Sequence, residues 1–227
     1  MKNVLLAVFP LFFIGLFILP AKEAEAQTTF GIKIGPNFSN MTVENEADLD
    51  TKINIGIQGG LYANLPIGNE FYIQPSLMYE NKGTKIEVPD LDANMKMNLN
   101  YLTLPVDFLY KPKMPNGSGS WIIGAGPYVG YGISGKAELS SNTASFGIDP
   151  FKKSELDLDD PAGNEQNDAA LFDRFDAGVN VQLGYELARG FNVVLNGNLG
   201  LINFSNDKEN LSSAKNVSFG IMLGYTF

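Results

Sequence analysis

The chain has 227 residues, is 44% hydrophobic, carries a formal net charge of −9 and contains neither cysteine nor histidine. Without cysteine there is no disulfide, thiolate metal site or lipobox-type lipid anchor. Without histidine the usual general base, the Ser/His triads and ordinary zinc sites are also gone, and the negative charge argues against a nucleic-acid partner.

The N-terminus has one early cation, Lys2, then the apolar run Val4–Leu19, then Ala24-Glu25-Ala26 before Gln27. A charged start, an apolar run and an A-x-A site read as a cleaved secretory signal peptide over residues 1–26. The competing reading is an N-terminal membrane anchor, but the run is near the lower end of a spanning length. Residues 27–227 are then one domain. No later apolar run approaches a membrane helix, so any spanning falls to a closed sheet.

Eight segments alternate with a period of two, the mark of strands. The first, Phe30–Ser39, sets Phe30, Ile32, Ile34 and Phe38 against Gly31, Lys33, Gly35 and Asn37. Ile53–Leu65 sets Ile53, Ile55, Ile57 and Leu61 against Asn54, Gln58, Tyr62 and Asn64, and Phe71–Lys82 sets Ile73, Leu77 and Tyr79 against Gln74, Ser76 and Glu80. Leu99–Tyr110 opposes Leu102, Val106 and Phe108 to Tyr101, Thr103 and Asp107, while Trp121–Ile133 opposes Ile123, Val129 and Tyr131 mostly to glycine. The clearest signal is Phe175–Phe204, two long arms joined by Ala188-Arg189-Gly190, which read as a hairpin supplying the sixth and seventh strands. Val217–Phe227 is the eighth. Each is long enough for a tilted transmembrane strand of about 9–11 residues. Prolines 36, 75, 105 and 127 fall inside these runs and are expected to mark bulges or strand ends.

The links alternate in length. Pro66–Glu70, Lys111–Ser120 and Ala188–Gly190 are short; Asn40–Lys52, Gly83–Asn98, Ser134–Leu171 and Ser205–Asn216 are longer. Short periplasmic turns and long outer loops are the habit of outer-membrane barrels, so both termini are expected on the periplasmic side. Aromatics near that rim are Phe30, Phe71, Tyr110, Trp121, Tyr185, Phe191, Tyr225 and Phe227; near the other are Phe38, Tyr79, Tyr131, Phe175 and Phe219. Two girdles suit rings seated at two membrane interfaces. The expected fold is an all-β, eight-stranded antiparallel up-and-down transmembrane β-barrel.

Several stretches also resemble a known family. Gly31-Ile-Lys-Ile-Gly-Pro-Asn-Phe-Ser39 resembles the opening strand of the PorT-like outer-membrane β-barrel family of Bacteroidetes. So do Tyr101-Leu-Thr-Leu-Pro-Val106, Gly124-Ala-Gly-Pro-Tyr-Val-Gly130, Asp176–Gly184 and the closing Gly-Tyr-Thr-Phe. The resemblance covers nearly all of 27–227 and implies the same eight-stranded barrel. A few members resemble factors for secretion or gliding assemblies, and nothing in this chain points to those roles.

The inward-facing charges are Lys33, Glu80, Lys82, Asp107, Asp176 and Glu186. They read either as a proton or ion path, with carboxylates working as acid and base, or as a buried salt-bridge plug. The plug is favoured because no second signature of catalysis accompanies them, and no enzyme activity and no cofactor are expected. Asp157, Asp159, Asp160, Glu165 and Asp168 in the loop 134–171 are oxygen ligands of the kind Ca²⁺ or Mg²⁺ takes, without EF-hand spacing; a solvated acidic loop is the plainer reading. Ser140–Asp168 is expected to be dispensable for folding.

The leading functional expectation is a barrel with a closed lumen and a structural, adhesive or assembly role carried by its outer loops. Its partners are then outer-membrane lipid, the barrel-assembly machinery and an unidentified envelope protein. Transport of a small solute or ion is the first alternative, though an aqueous channel usually takes of order 16–18 strands. A soluble periplasmic lipocalin-like barrel, with the apolar set pointing inward, is the second. A carboxylate enzyme in the membrane is a third.

Overall fold

A computed structural model describes residues 27–44, 51–88, 93–141, 144–148, 150–151, 173–203 and 213–227. The strands are β1 Thr29–Glu44, β2 Thr51–Gly68, β3 Phe71–Val88, β4 Ala93–Tyr110, β5 Gly119–Ser141, β6 Ala144–Ile148, β7 Phe175–Leu187, β8 Phe191–Gly200 and β9 Ser213–Thr226. All pairings are antiparallel, in the order β4-β3-β2-β1-β9-β8-β7-β5, and β4 pairs with β5 to close the ring. Eight strands therefore form the barrel. β6 stands outside the closure and pairs only with the far end of β5, from Ala137↔Ile148 to Ser141↔Ala144.

Alternation sorts the side chains onto two faces. Ile32, Ile34, Ile55, Ile57, Leu61, Phe108, Ile123, Val181, Leu195 and Leu223 are exposed on the outer wall. Asn37, Asn54, Gln58, Gln74, Asp107, Asp176, Asn196 and Asn198 are buried in the lumen. A soluble barrel has the reverse arrangement, so the lipocalin-like alternative falls. The β7–β8 hairpin forms as the sequence suggests: Gly190 takes φ 88°, a backbone region that glycine enters without strain, and its N–H bonds Leu187 O at 2.9 Å.

Strand lengths depart from expectation at the end opposite the termini. β3 and β4 run on, leaving a link of residues 89–92 rather than Gly83–Asn98, and β5 continues past Ile133 to Ser141. The short–long alternation of links thus fails at β3–β4, and also at β1–β2, where 45–50 rather than Asn40–Lys52 is left, against 111–118 between β4 and β5. Beyond Tyr79 and Tyr131 the outward residues become Asn81, Lys85, Lys96, Asn98, Asn100, Ser134 and Lys136. The apolar alternation ends there while the ladder does not. Asn81 and Tyr79 both donate to Asn100 Oδ1, at 2.6 and 2.9 Å, and Asn100 Nδ2 donates to Ser134 at 2.9 Å. This polar band belongs to a water-bathed extension of the barrel. Within it Lys136, hydrogen-bonded to Glu138 and paired with it, holds that carboxyl below the usual range.

The four prolines are neither bulges nor strand ends. Pairing skips two residue pairs beside each: between Ile34↔Leu223 and Asn37↔Gly220 at Pro36, and between Tyr62↔Ser76 and Leu65↔Ile73 at Pro75. The same happens between Pro75↔Val106 and Met78↔Thr103 at Pro105, and between Pro105↔Tyr128 and Phe108↔Ala125 at Pro127. Register is unchanged across every gap. The irregularities fall elsewhere, at Ile53/Gln58, Pro66/Gly68 and Asn100/Tyr101.

Candidate functional site

The lumen is filled by side chains, as an eight-stranded interior allows. All six sequence-predicted charges point into it, but they form three groups rather than one. At the loop end Lys82 Nζ lies 3.0 Å from Glu80 Oε2 and 3.2 Å from Asp176 Oδ2. Tyr128 OH and Asn216 Nδ2 also donate to Asp176 Oδ2, at 3.3 and 3.1 Å, and Asn198 donates to Glu80 Oε1 at 3.1 Å. The Lys82 ammonium sits 4.7 Å from the Tyr128 ring centre and 5.4 Å from that of Tyr101, within cation–π reach of both.

Lys33 and Asp107 belong to a middle group with no direct ion pair between them. Asp107 Oδ2 accepts from Asn180 at 2.7 Å and Gln182 at 2.8 Å. Gln182 and Lys33 both donate to Gln74 Oε1, at 3.1 and 3.5 Å. Gln58 and Asn196 exchange a reciprocal amide pair at 3.0 and 3.1 Å across the lumen. At the termini end Glu186 Oε1 accepts from Lys111 at 2.7 Å, and Glu186 Oε2 accepts from Thr226 at 2.6 Å. Lys111 was not among the expected charges because it stands one residue past the apolar run. Continuing the alternation beyond Tyr110 would have found it.

An apolar cluster of Met78, Leu109, Ile122, Val194 and Met222 also lies in the lumen, with Tyr72 against it. Apolar side chains offer no relay for a proton, while beside them Gln74 donates to Asn64 Oδ1 at 2.8 Å and Asn64 to Thr29 at 3.1 Å, which carries the middle group on toward the termini end. A hollow of about 870 Å³ bordered by Ile32, Ile34, Leu61, Phe191 and Leu223 lies on the outside of the wall and is no part of the polar site.

The mouth at the loop end is capped. Phe151, from the segment after β6, is buried and meets the Tyr101 ring edge-on at 5.8 Å. A Cβ at Gly132 would lie 2.5 Å from its ring, so glycine there leaves the slot in which the phenyl sits. Arg174 stacks on the same ring at 5.4 Å and donates to Gly132 O at 3.0 Å and Phe151 O at 3.3 Å. Ser140–Asp168, expected to be dispensable for folding, thus supplies Phe151 to the mouth of the barrel. Asp157, Asp159, Asp160, Glu165 and Asp168 lie outside the described residues, as does the stretch 1–26 expected to be a signal peptide.

The rim aromatics near the termini meet in pairs around the wall. Phe71 stacks on Tyr110 at 5.0 Å and on Phe108 at 5.6 Å. Trp121 meets Tyr185 at 5.4 Å, and Phe191, Tyr225 and Phe227 form a run at 4.9 and 5.3 Å. Phe30 is exposed at the same rim. At the other rim Phe38 stacks on Phe219 at 5.0 Å.

A closed antiparallel ring with a lipophilic outside and an amide-rich inside defines an integral outer-membrane β-barrel protein. The outer membrane protein beta-barrel domain family matches residues 24–206, and the chain belongs to that family. No curated protein matches the sequence. Among solved structures, the attachment invasion locus protein Ail of Yersinia pestis is 14% identical with a TM-score of 0.43, over 89% of this chain and 100% of that one. Neisserial surface protein A is 9% identical with a TM-score of 0.43 over the same shares. The outer membrane enzyme PagL is 14% identical with a TM-score of 0.41, over 83% of this chain and 98% of that one. Likenesses at this level carry no argument about activity.

Proposed function

We propose that the chain is a PorT-like, non-conducting and non-enzymatic barrel that presents the β3–β6 extension outside the cell. Its role there is structural, adhesive or in assembly, toward an envelope protein. It is exported by a signal peptide cleaved after Ala26, and its short turns and termini face the periplasm. The rim aromatics serve as girdles. Trp121 and Tyr131 are ten positions apart on β5, about 33 Å along the strand at ~3.3 Å per residue. Tilted by roughly 40°, that is about 25 Å along the normal, the height of a barrel's apolar band.

The observation that carries this reading is the filled lumen: Tyr101 is 0% exposed, Tyr128 2% and Asp107 0%. Purified protein in planar bilayers is expected to give no unitary conductance, and stable single-channel steps would sink the proposal in favour of transport. Phe227 is the residue most open to the assembly machinery. It is 70% exposed, and its N–H joins Phe30 O at 2.7 Å, where the last strand meets the first. Deleting it should lower the amount inserted in cells far more than the stability of refolded protein; equal changes would leave it an ordinary girdle residue.

A further inference from the structure

Beneath Phe151 the hydrogen-bonding of the lumen does not close. Tyr101 OH, Thr103 Oγ1, Asp176 Oδ1 and Asn216 Oδ1 are buried oxygens without a hydrogen-bond partner among the described residues, whereas buried polar groups are normally satisfied. Their side chains cluster in one loop-end chamber, with Thr103 Cγ2, Tyr101 Cδ1 and Asp176 Cβ at 3.1, 3.6 and 3.6 Å from where a Gly130 Cβ would stand. Asn216 donates to the other oxygen of Asp176 at 3.1 Å, and the Tyr101 hydroxyl is beside the Asn216 side chain without hydrogen-bond geometry. Asp176 Oδ1 and Asn216 Oδ1 can only accept. Glu80 Oε2 also lacks hydrogen-bond geometry, but it lies 3.0 Å from the Lys82 ammonium and is ion-paired.

The charges of the chamber are unequal in the same sense. Glu80 and Asp176 face one ammonium, Lys82. The next cation, Arg174, is held in the cap by the carbonyls of Gly132 and Phe151 and makes no ion pair among the described residues. Among the described residues of the lumen four carboxylates face three ammonium groups: Lys111 pairs with Glu186, Lys33 interacts with Asp107 first and with Glu80 second, and the excess carboxylate lies nearest the loop-end chamber, where Asp176 and Glu80 share Lys82. Hard oxygen donors with one uncompensated negative charge suit a small cation.

We propose that Phe151 is the lid of a blind chamber, opening at the loop end, that receives a small monovalent cation on Asp176, Asn216, Tyr101 and Thr103. The amide layer of Gln58 and Asn196 and the apolar cluster around Met78 fill the lumen elsewhere, so the chamber is a binding site and not a pore. Arg174 is the hinge-side clasp. The two carbonyl bonds of Arg174 help to hold the ring in its Gly132 slot.

The chain has no cysteine, so Thr103→Cys places a single thiol in the chamber without removing a hydrogen bond. Labelling of the purified, refolded barrel in detergent with a trimethylammonium and with a sulfonate methanethiosulfonate reads both lid and charge, independently of orientation in the cell. Labelling of Thr103→Cys should be slow, and adding Phe151→Ala should speed it by about tenfold or more, as for a locally opened site. Gly132→Ala, whose methyl displaces the ring, should do the same and stands in if Phe151→Ala does not refold. The cationic reagent should outpace the anionic one by roughly tenfold beyond their ratio on a free thiol, and Asp176→Asn or Glu80→Gln should erase the excess. Sodium or ethylammonium at constant ionic strength should slow labelling. Protection by sodium alone assigns a metal ion, by ethylammonium alone an organic amine, and by both any small monocation. An unchanged rate with both lid variants, a reagent ratio equal to that of a free thiol, or protection by neither cation overturns the proposal.

Discussion

Leu195 tests the lipid face most directly. It is four positions beyond Phe191 on β8, about 13 Å along the strand at ~3.3 Å per residue and about 10 Å along the normal at a tilt of roughly 40°, close to the middle of an apolar band ~25 Å tall. It is 50% exposed and flanked across the ladders by Leu183 and Ile221, with no acidic side chain to receive a cation. Leu195→Arg should cost about 2–4 kcal/mol, whereas Ile133→Arg, exposed at the rim two residues beyond Tyr131, should cost only about 0–1. Reversible urea unfolding from phospholipid vesicles, followed by the fluorescence of Trp121, measures both. Asn196 is the parity control, since it is one residue away and faces the lumen. Asn196→Ala should cost about 1–3 kcal/mol by stranding the Gln58 amide, with no dependence on bilayer thickness. Equal costs for Arg at 195 and 133 would refute the assignment of face and depth together.

Other consequences follow from the lumen and the extension. Lys82→Met should cost about 3–5 kcal/mol by leaving Glu80 and Asp176 without their cation, and Lys82→Met with Glu80→Gln should recover part of that in the same assay. Gln58→Leu removes the donor to Pro36 O and should cost about 1–3 kcal/mol; hydrogen exchange should quicken along β1–β9 and not along β7–β8. Glu138 has its carboxyl lowered by Lys136, so the pair's contribution is present above the ordinary glutamate pKa and fades as pH falls through the lowered value. Lys136→Ala should move the Glu138 midpoint upward in a carboxyl carbon NMR titration, and an unmoved midpoint would remove Lys136 as the cause.

The wall was legible because lipid and lumen impose opposite chemistry on successive residues. Phe175–Leu187 and Phe191–Gly200 alternate so cleanly that the hairpin, its Gly190 turn and both faces follow from the sequence. The polar extension was not legible. At Asn81–Val88 and Ala93–Asn100 both faces are mixed, so a search for greasy alternation stops at the membrane boundary and misreads a paired ladder as loop. The inward charges were legible singly, by parity. Their partners were not, because Lys82 meets Asp176 across 94 positions of sequence and parity carries no information about depth. Phe151 gave no signal, since its burial depends on a slot made by Gly132 on another strand.

The prolines show why a rule taken from soluble sheets misled. A proline lacks the N–H that a ladder needs, and an unmet backbone group in lipid costs several kcal/mol, which suggests that a spanning strand must break there. In a closed barrel every strand has two seams, and a proline disturbs only the one its nitrogen faces. Pro36 skips on the β9 side but keeps its register partner Ile57 on β2. Pro75 skips toward β2 and keeps Val106 on β4. Pro105 skips toward β3 and keeps Tyr128 on β5, and Pro127 skips toward β4 and keeps Val179 on β7. The intact seam holds the register, so each gap stays local. At Pro36 the lumen also supplies a donor, because Gln58 Nε2 reaches Pro36 O at 3.1 Å through space that a side chain at Gly220 would occupy. An amide-rich interior thus does more than fill the barrel: at Pro36 it supplies a hydrogen bond beside a seam where lipid could supply none.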